Sequence, residues 1–258
     1  MSANGRNSPN DQSGLWTQEQ AAAAAGDLEG KDAVEVCRWM LETFGSEISF
    51  AFSGAEDVLV IDLMAKTGLP FRAFTLDTQR LHNETYDLLK RVEDKYDFRL
   101  EFQRPDAAKV DEMVRTAGYD CFYDSMENRK LCCGIRKVQP LRAHIATLGA
   151  WVTGLRRDQA VTRAEVPKVE IDVQNGGIVK LNPIADWSFE QVWEHIRAND
   201  VPYNELHDKG FPSIGCVPCT REIAEGEDIR AGRWWWENPQ LRECGLHPGS
   251  KAELPADR

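Results

Sequence analysis

Two cysteines stand side by side in LCCGIRK, residues 131–137, and two more form GCVPC at 216 and 219. Neighbouring cysteines do not readily pair with each other, because a disulfide prefers Cα atoms farther apart than one peptide link allows. Cys132, Cys133, Cys216 and Cys219 therefore read as a donor set of four thiols. Such a set suits either an iron–sulfur cluster or an all-thiolate zinc ion. Structural zinc usually draws each pair from a C-x(2–4)-C knuckle. The vicinal pair favours the larger object, which two side chains ~100° apart on a helix can both reach. Arg136 and Lys137 lie one turn beyond the pair, where their charge would meet a negatively charged cluster.

Another cysteine, Cys244, lies in ECGLH, residues 243–247. The segment is polar and contains glycine, a poor setting for a core residue. Arg242 and His247 are near enough in sequence to favour a thiolate, so Cys244 is a candidate nucleophile. In SGAED, residues 53–57, Ser53 and Gly54 fall between an apolar run and a helical pattern. Backbone N–H groups at such a turn can hold an anion. Arg156, Arg157, Arg163, Arg230 and Arg233 sit in loop-like stretches. Together they suit an anionic ligand, although each alone reads as a solvated surface charge. The run of tryptophans in GRWWWE, 232–237, reads first as a packing anchor.

These groups need elements to position them. The apolar run ISFAFS, 48–53, predicts a strand, with a helix from Val58 to Lys66 after it. FRAFTLD, 71–77, predicts a second strand, followed by a helix over Glu84 to Tyr96. FRLEFQ, 98–103, and AWVTGL, 150–155, predict a third and a fourth strand. Strands alternating with helices imply an α/β fold with a doubly wound, mostly parallel sheet. Ligands then belong at the carboxyl ends of the strands, where Ser53, Asp77 and Gly154 would lie. Apolar residues at 33, 34, 37, 41 and 44 predict a helix over Asp32 to Phe44, with Cys37 in the core. Cys121 also reads as core. Beyond residue 165, VEIDVQNGGIVKLNPI predicts a hairpin turning at Asn175-Gly176-Gly177. Ser188 and Gln191 predict a capping box that opens a helix.

The bulk numbers exclude several classes. The 258 residues are 42% hydrophobic, enough for a core without disulfide staples. The net charge of −11 argues against a broad basic face for nucleic acid. No run approaches the ~20 apolar residues of a membrane span, and the N-terminus has no apolar signal core. A cytoplasmic location follows as an expectation, with the seven cysteines kept reduced for metal, cluster or redox use. The expected organisation is a disordered tail at 1–14, one α/β nucleotide and cluster domain at 15–240, and a mobile segment at 241–258 carrying Cys244.

The segments KLCCGIRKVQPL, GCVPCTRE, GEDIRAGRWWWE and ECGLH occur in that order. Together they resemble the iron–sulfur type of assimilatory adenylyl-sulfate (APS) reductase, within the PAPS/APS reductase family. SGAED and FTLDT resemble that family's modified pyrophosphatase (PP) loop domain, whose fold is adenine nucleotide alpha hydrolase-like. The likeness runs from about residue 48 to 248. It implies thioredoxin-dependent reduction of adenosine 5′-phosphosulfate to sulfite and AMP, with thioredoxin or a glutaredoxin-like protein as donor. It also implies that Cys132, Cys133, Cys216 and Cys219 hold a [4Fe-4S] cluster, with Cys244 as nucleophile. By the same resemblance Lys137 lies between cluster and substrate. Ser53 and Gly54 belong to the nucleotide loop and Leu76 meets the adenine side. Arg163, Arg230, Arg233 and His247 bind the phosphosulfate. Family members often form homo-oligomers.

One residue departs from the pattern. The family usually has glycine after LDT, and here it is Gln79. If that position takes a positive φ, glutamine strains the turn. Three other readings compete. Reductases of 3′-phosphoadenylyl sulfate generally lack the cluster cysteines, but dual specificity stays open. A PP-loop tRNA-thiolating enzyme would carry SGGxDS, whereas Ala55 and Val58 stand here. A cluster- or zinc-bearing regulatory protein would leave Cys244 incidental.

Overall fold

The computed structural model describes residues 16–53, 55–159 and 163–238. The expected tail at 1–14, Gly54, Cys244 and His247 lie outside them. Two helices open the chain, α1 (Gln18–Leu28) and α2 (Ala33–Phe44). Asp32 caps α2 in a capping box with Glu35, which satisfies donors the helix itself cannot. Its buried stripe is Ala33, Val36, Cys37, Met40 and Leu41. Burial pushes the Cys37 thiol far up, so it is an inert core group, as its spacing predicts.

Then come β1 (Ile48–Phe52), α3 (Ala55–Lys66), β2 (Ala73–Leu76), α4 (Asn83–Tyr96) and β3 (Glu101–Gln103). The three strands are parallel, with β1 beside β2 and β2 beside β3. The chain next forms α5 (Ala107–Ala117) and a long helical run. That run consists of α6 (Met126–Cys133), a wide π-type turn at Gly134–Val138, and α7 (Gln139–Ile145). Pro140 has no N–H to give back to the preceding turn, so a regular α pattern cannot pass through it undisturbed. Wide turns of this kind recur at functional sites. The chain returns to the sheet as β4 (Ala150–Val152), on the other side of β1. After β5 (Val169–Asp172) and β6 (Ile178–Leu181) comes α8 (Phe189–Ala198), opened by the Ser188–Gln191 capping box.

The sheet order is β3-β2-β1-β4-β6-β5. Only the β5–β6 pair is antiparallel. The predicted doubly wound, mostly parallel sheet is therefore present. The order reverses between β1 and β4, which opens a crevice beyond their carboxyl ends. The strands are shorter than their apolar runs suggested. The β5–β6 turn spans residues 173–177 with positive φ at Gly176 and Gly177, longer than the expected three-residue turn. The main core packs α1 to α4 and α8 against the sheet. A second, separate core contains no strand: Val110, Met113, Phe122 and Ile135 pack around Cys121, Cys132, Cys216, Cys219 and Trp234. Cys121 is thus core, as expected, and shares that core with the thiols of the predicted donor set.

Candidate active site

The crevice at the sheet reversal holds a cavity of about 380 Å³, within the range of small-molecule sites. Ser53, Leu76, Gly154, Lys137, Arg163, Arg230 and Arg233 all line it. All are residues the sequence reading placed at strand ends or in the site. At the mouth of β1, both the backbone N–H and the hydroxyl of Ser53 donate to Asp57 Oδ2, the hydroxyl at 2.6 Å. Gly154 lets β4 approach this loop: a Cβ there would meet Asp57 Oδ1 at 2.5 Å. Apolar walls come from Ala51, Phe74, Leu141 and Trp151.

Arg156 corrects the expectation of a surface charge. It is 2% exposed and lines the cavity. Arg233, at 8%, corrects it too. Arg157 turns away and pairs with Glu29 at 2.8 Å. Asp77 lies at the end of β2 but its carboxylate faces other partners. It accepts from Gln79 N, Tyr86 Oη and Arg104 Nε at 2.9, 2.7 and 3.0 Å. His207 is a cavity residue that the sequence did not mark. Burial pulls its pKa down to about 4, so it is neutral at pH 7.

The predicted donor set is brought together. Cys132, Cys133, Cys216 and Cys219 line a second, smaller cavity and are each less than a tenth exposed. Among the described residues no group of three or more His, Cys, Asp or Glu is drawn in tightly enough to hold one metal ion. The cysteine pair comes from α6, whose Ser125 cap accepts from Asn128 N. The other pair comes from a loop stitched to the chain that follows β2. Leu81 and Cys216 form an antiparallel bridge, and Val217 N donates to Arg80 O at 2.8 Å. Gly215 is needed here because a Cβ would collide with the Arg233 guanidinium.

The thiols are surrounded by cations: Arg80, Arg129, Arg136, Lys137 and Arg233 line the same cavity. Burial pushes the Cys216 thiol up, but Lys137, the Thr78 hydroxyl and Arg233 outweigh it and leave its pKa below the ordinary thiol value. Thr78 Oγ1 sits 3.3 Å from Cys216 Sγ, and Arg136 Nη1 donates to Thr78 O at 2.8 Å. Burial, and then the neighbouring Cys216, drives Cys219 up to about 12. Burial also raises Cys132, against the pull of Arg136. One thiolate is favoured in this setting, and each further one costs more. Arg80 Nε, Arg136 Nε and Trp234 Nε1 are buried donors that find no acceptor among the described residues. All three residues line the thiol cavity.

Lys137 and Arg233 line both cavities, so the two share a wall. The turn between Asp77 and Arg80 carries the predicted irregularity: Gln79 has φ 61°. Among the tryptophans, Trp234 is buried and Trp236 packs on Phe122, whereas Trp235 is exposed. The anchor reading therefore fits two of the three. No helix among the described residues is long and apolar enough to cross a membrane.

The chain matches the family described as phosphoadenosine phosphosulfate reductase domain over residues 47–222. It is 51% identical over 214 residues to an adenosine 5′-phosphosulfate reductase of Allochromatium vinosum, covering 83% of this chain and 81% of the relative. It is 46% identical over 236 residues to a probable chloroplastic 5′-adenylylsulfate reductase 1 of Oryza sativa subsp. japonica. That match covers 88% of this chain and 49% of the plant protein. Among solved structures it resembles a phosphoadenylyl-sulfate (PAPS) reductase of Candida auris in a phosphate complex. The TM-score is 0.69 at 30% identity, over 80% of this chain and 98% of that one.

Proposed function

This chain belongs to the phosphoadenosine phosphosulfate reductase family. On that premise we propose that it reduces adenosine 5′-phosphosulfate to sulfite and AMP in sulfate assimilation. The observation that carries the reading is the shared wall: Lys137 and Arg233 border a nucleotide-sized cavity on one side and a ring of four thiols on the other.

Adenosine fits the apolar end of the large cavity, beside Leu76 and the ends of β1 and β4. The phosphosulfate then points toward Lys137, Arg163, Arg230 and Arg233. Arginines hold such an anion with charge-assisted, often bidentate hydrogen bonds. The Cys244 thiolate attacks the sulfate sulfur, a sulfur–sulfur bond forms, and AMP leaves with the electron pair of the broken S–O bond. Cationic side chains stabilise the charge that grows on the leaving phosphate. The product is an S-sulfocysteine at Cys244, with His247 and Gly54 assigned to the same site by resemblance. A thiol of thioredoxin or a glutaredoxin-like donor attacks the Cys244 sulfur and expels sulfite. The donor's second thiol then frees Cys244 and leaves the donor as a disulfide.

We infer that Cys132, Cys133, Cys216 and Cys219, which line one cavity, would hold a [4Fe-4S] cluster. A vicinal cysteine pair suits several irons better than one zinc, whose structural sites usually draw each pair from a C-x(2–4)-C knuckle. The unmatched donors of Arg80, Arg136 and Trp234 suit the sulfide and thiolate acceptors of such a group. Bound by these four cysteines, such a cluster would supply a fixed negative charge between α6 and the loop at 216–219. No step of the scheme needs it to change oxidation state. A cytoplasmic setting, where thiols stay reduced, agrees with this chemistry.

The test uses protein purified without oxygen and no reductant. Adenosine 5′-phosphosulfate is expected to leave one sulfonate on Cys244, seen by intact mass and peptide mapping, with one AMP released. The 3′-phosphorylated substrate is expected to leave none. Adducts with both would make the protein a dual reductase. No adduct with either would refute the proposal.

A further inference from the structure

Arg129 has no part in the scheme above, yet it is 1% exposed, one helical turn before Cys133. Its Nε donates to Glu237 Oε1, and its guanidinium also hydrogen-bonds the Cys133 side chain. The same guanidinium stacks on Trp234, 4.7 Å from the ring. That indole also carries Arg233, again at 4.7 Å. Arg233 in turn lines both cavities and reaches Ser213 Oγ at 3.2 Å.

Two features set this chain of contacts apart from ordinary packing. A buried ion pair seldom stabilises a core better than apolar side chains of the same size, so the pair points to a placing role. Trp234 also adopts φ 44°, a region that bulky residues rarely enter. Such strain persists where the surroundings over-determine it, and it gathers at functional sites. Here Trp234 N donates to Cys219 O at 3.2 Å, and Glu237 N donates to Trp234 O at 2.9 Å. The strained residue is pinned to the thiol loop on one side and to the Arg129 partner on the other.

We propose that Arg129, locked by Glu237, is a positioning residue that holds Cys133 and, through the Trp234 ring, sets Arg233 in the substrate cavity. The proposal rests on the sulfonucleotide reading of that cavity. Lysine at 129 would keep the charge but lose the planar fork that reaches carboxylate, thiol and ring together.

The experiment uses the full chain in a Cys244→Ala background, which blocks turnover, and measures binding of adenosine 5′-phosphosulfate by calorimetry. Arg129→Lys and Trp234→Leu are each expected to weaken binding roughly tenfold, the scale of one charge-assisted contact. The double variant is expected to lose about the same tenfold, because both act through one chain of contacts. Arg72→Lys disturbs the Arg72–Glu101 pair, which lines neither cavity, and is expected to leave binding unchanged. Arg129→Lys that lowers the melting temperature but binds as the parent does would make Arg129 merely structural. A roughly hundredfold loss in the double variant would break the link through Trp234. Should Arg129→Lys fail to fold, the isosteric Glu237→Gln gives the same test by releasing Arg129 from its counter-ion. A parent that does not bind the substrate refutes the sulfonucleotide reading and this proposal with it, an outcome distinct from equal binding by parent and variant.

Discussion

The nucleotide cavity and the thiol cavity share a wall, but they are built from different material. Strand ends and the residues just after them shape one side of the first, namely Phe52 and Ser53, Leu76, and Thr153 and Gly154, while loops carrying Arg163, Arg230 and Arg233 line the rest. The strand backbones are tied into a parallel sheet with or without a ligand. Among the described residues no strand residue lines the second. Its walls are α6, the wide turn and the loops around residues 80, 122, 216–219 and 233–234. These elements bring thiols and guanidinium groups into an apolar core. Such an assembly is stable only when its charges find partners. The strand-end side of the first cavity is therefore set by the sheet. The second depends on what it holds.

The sharpest way to break this contrast is to remove one thiol. If the proposed cluster is held there, Cys216→Ser is expected to lower bound iron and to reduce reductase activity by about a hundredfold. Far-ultraviolet circular dichroism should still report the sheet. A variant that loses the sheet signal along with the iron would make the two regions one folding unit.

A smaller effect is expected far from both cavities. Asp62 of α3 accepts from Tyr96 Oη at 3.0 Å and pairs with Lys66 and His195 at 2.8 and 2.7 Å. Burial pushes its pKa up, but His195, Lys66 and Tyr96 outweigh that and bring it from 3.8 down to about 2. A depressed folded-state pKa gives stability that is complete above the unfolded value and lost as pH falls through the folded one. Asp62→Asn should therefore cost about 2 kcal/mol at pH 7. Urea denaturation should show the difference shrinking as the pH falls below about 4 toward 2. Iron content should stay the same.

Gly154→Ala sharpens the contrast from the other side. The added methyl would push the Asp57 carboxylate off Ser53. Overpacking of this sort costs ~1–3 kcal/mol of stability, so thermal unfolding should come at a lower temperature, and nucleotide binding measured by calorimetry should weaken because the Ser53 loop is displaced. Gln79→Gly gives the smallest effect. It relieves a left-handed backbone at φ 61°, worth ~1 kcal/mol, against the chain entropy that glycine adds. A net gain of ~0.5 kcal/mol is expected in thermal unfolding.

The same contrast governs what the sequence discloses. The apolar runs at 48–53 and 71–77 mark β1 and β2 because a parallel strand is buried on both faces. Ser53, Leu76 and Gly154 then fall at strand ends by topology alone. α5 gives little sign in the sequence, because its buried stripe is only Val110 and Met113, although Asp106 and Gly118 bracket it as cap residues. The cysteines were legible by type. Their surroundings were not, since Thr78, Arg80 and Trp234 meet Cys216 and Cys219 only through long-range contacts. Arg156 misled for the same reason: a loop arginine reads as solvated until the fold closes over it.

The central claim is that the two cavities act as one site through Lys137 and Arg233. Resonance Raman spectra of the iron–sulfur stretches of the proposed cluster in the Cys244→Ala chain, with and without adenosine 5′-phosphosulfate, test it most directly. The account predicts that substrate shifts these bands and that Lys137→Ala removes the shift while leaving the iron in place. Bands unmoved by saturating substrate, or moved equally in Lys137→Ala, would contradict it.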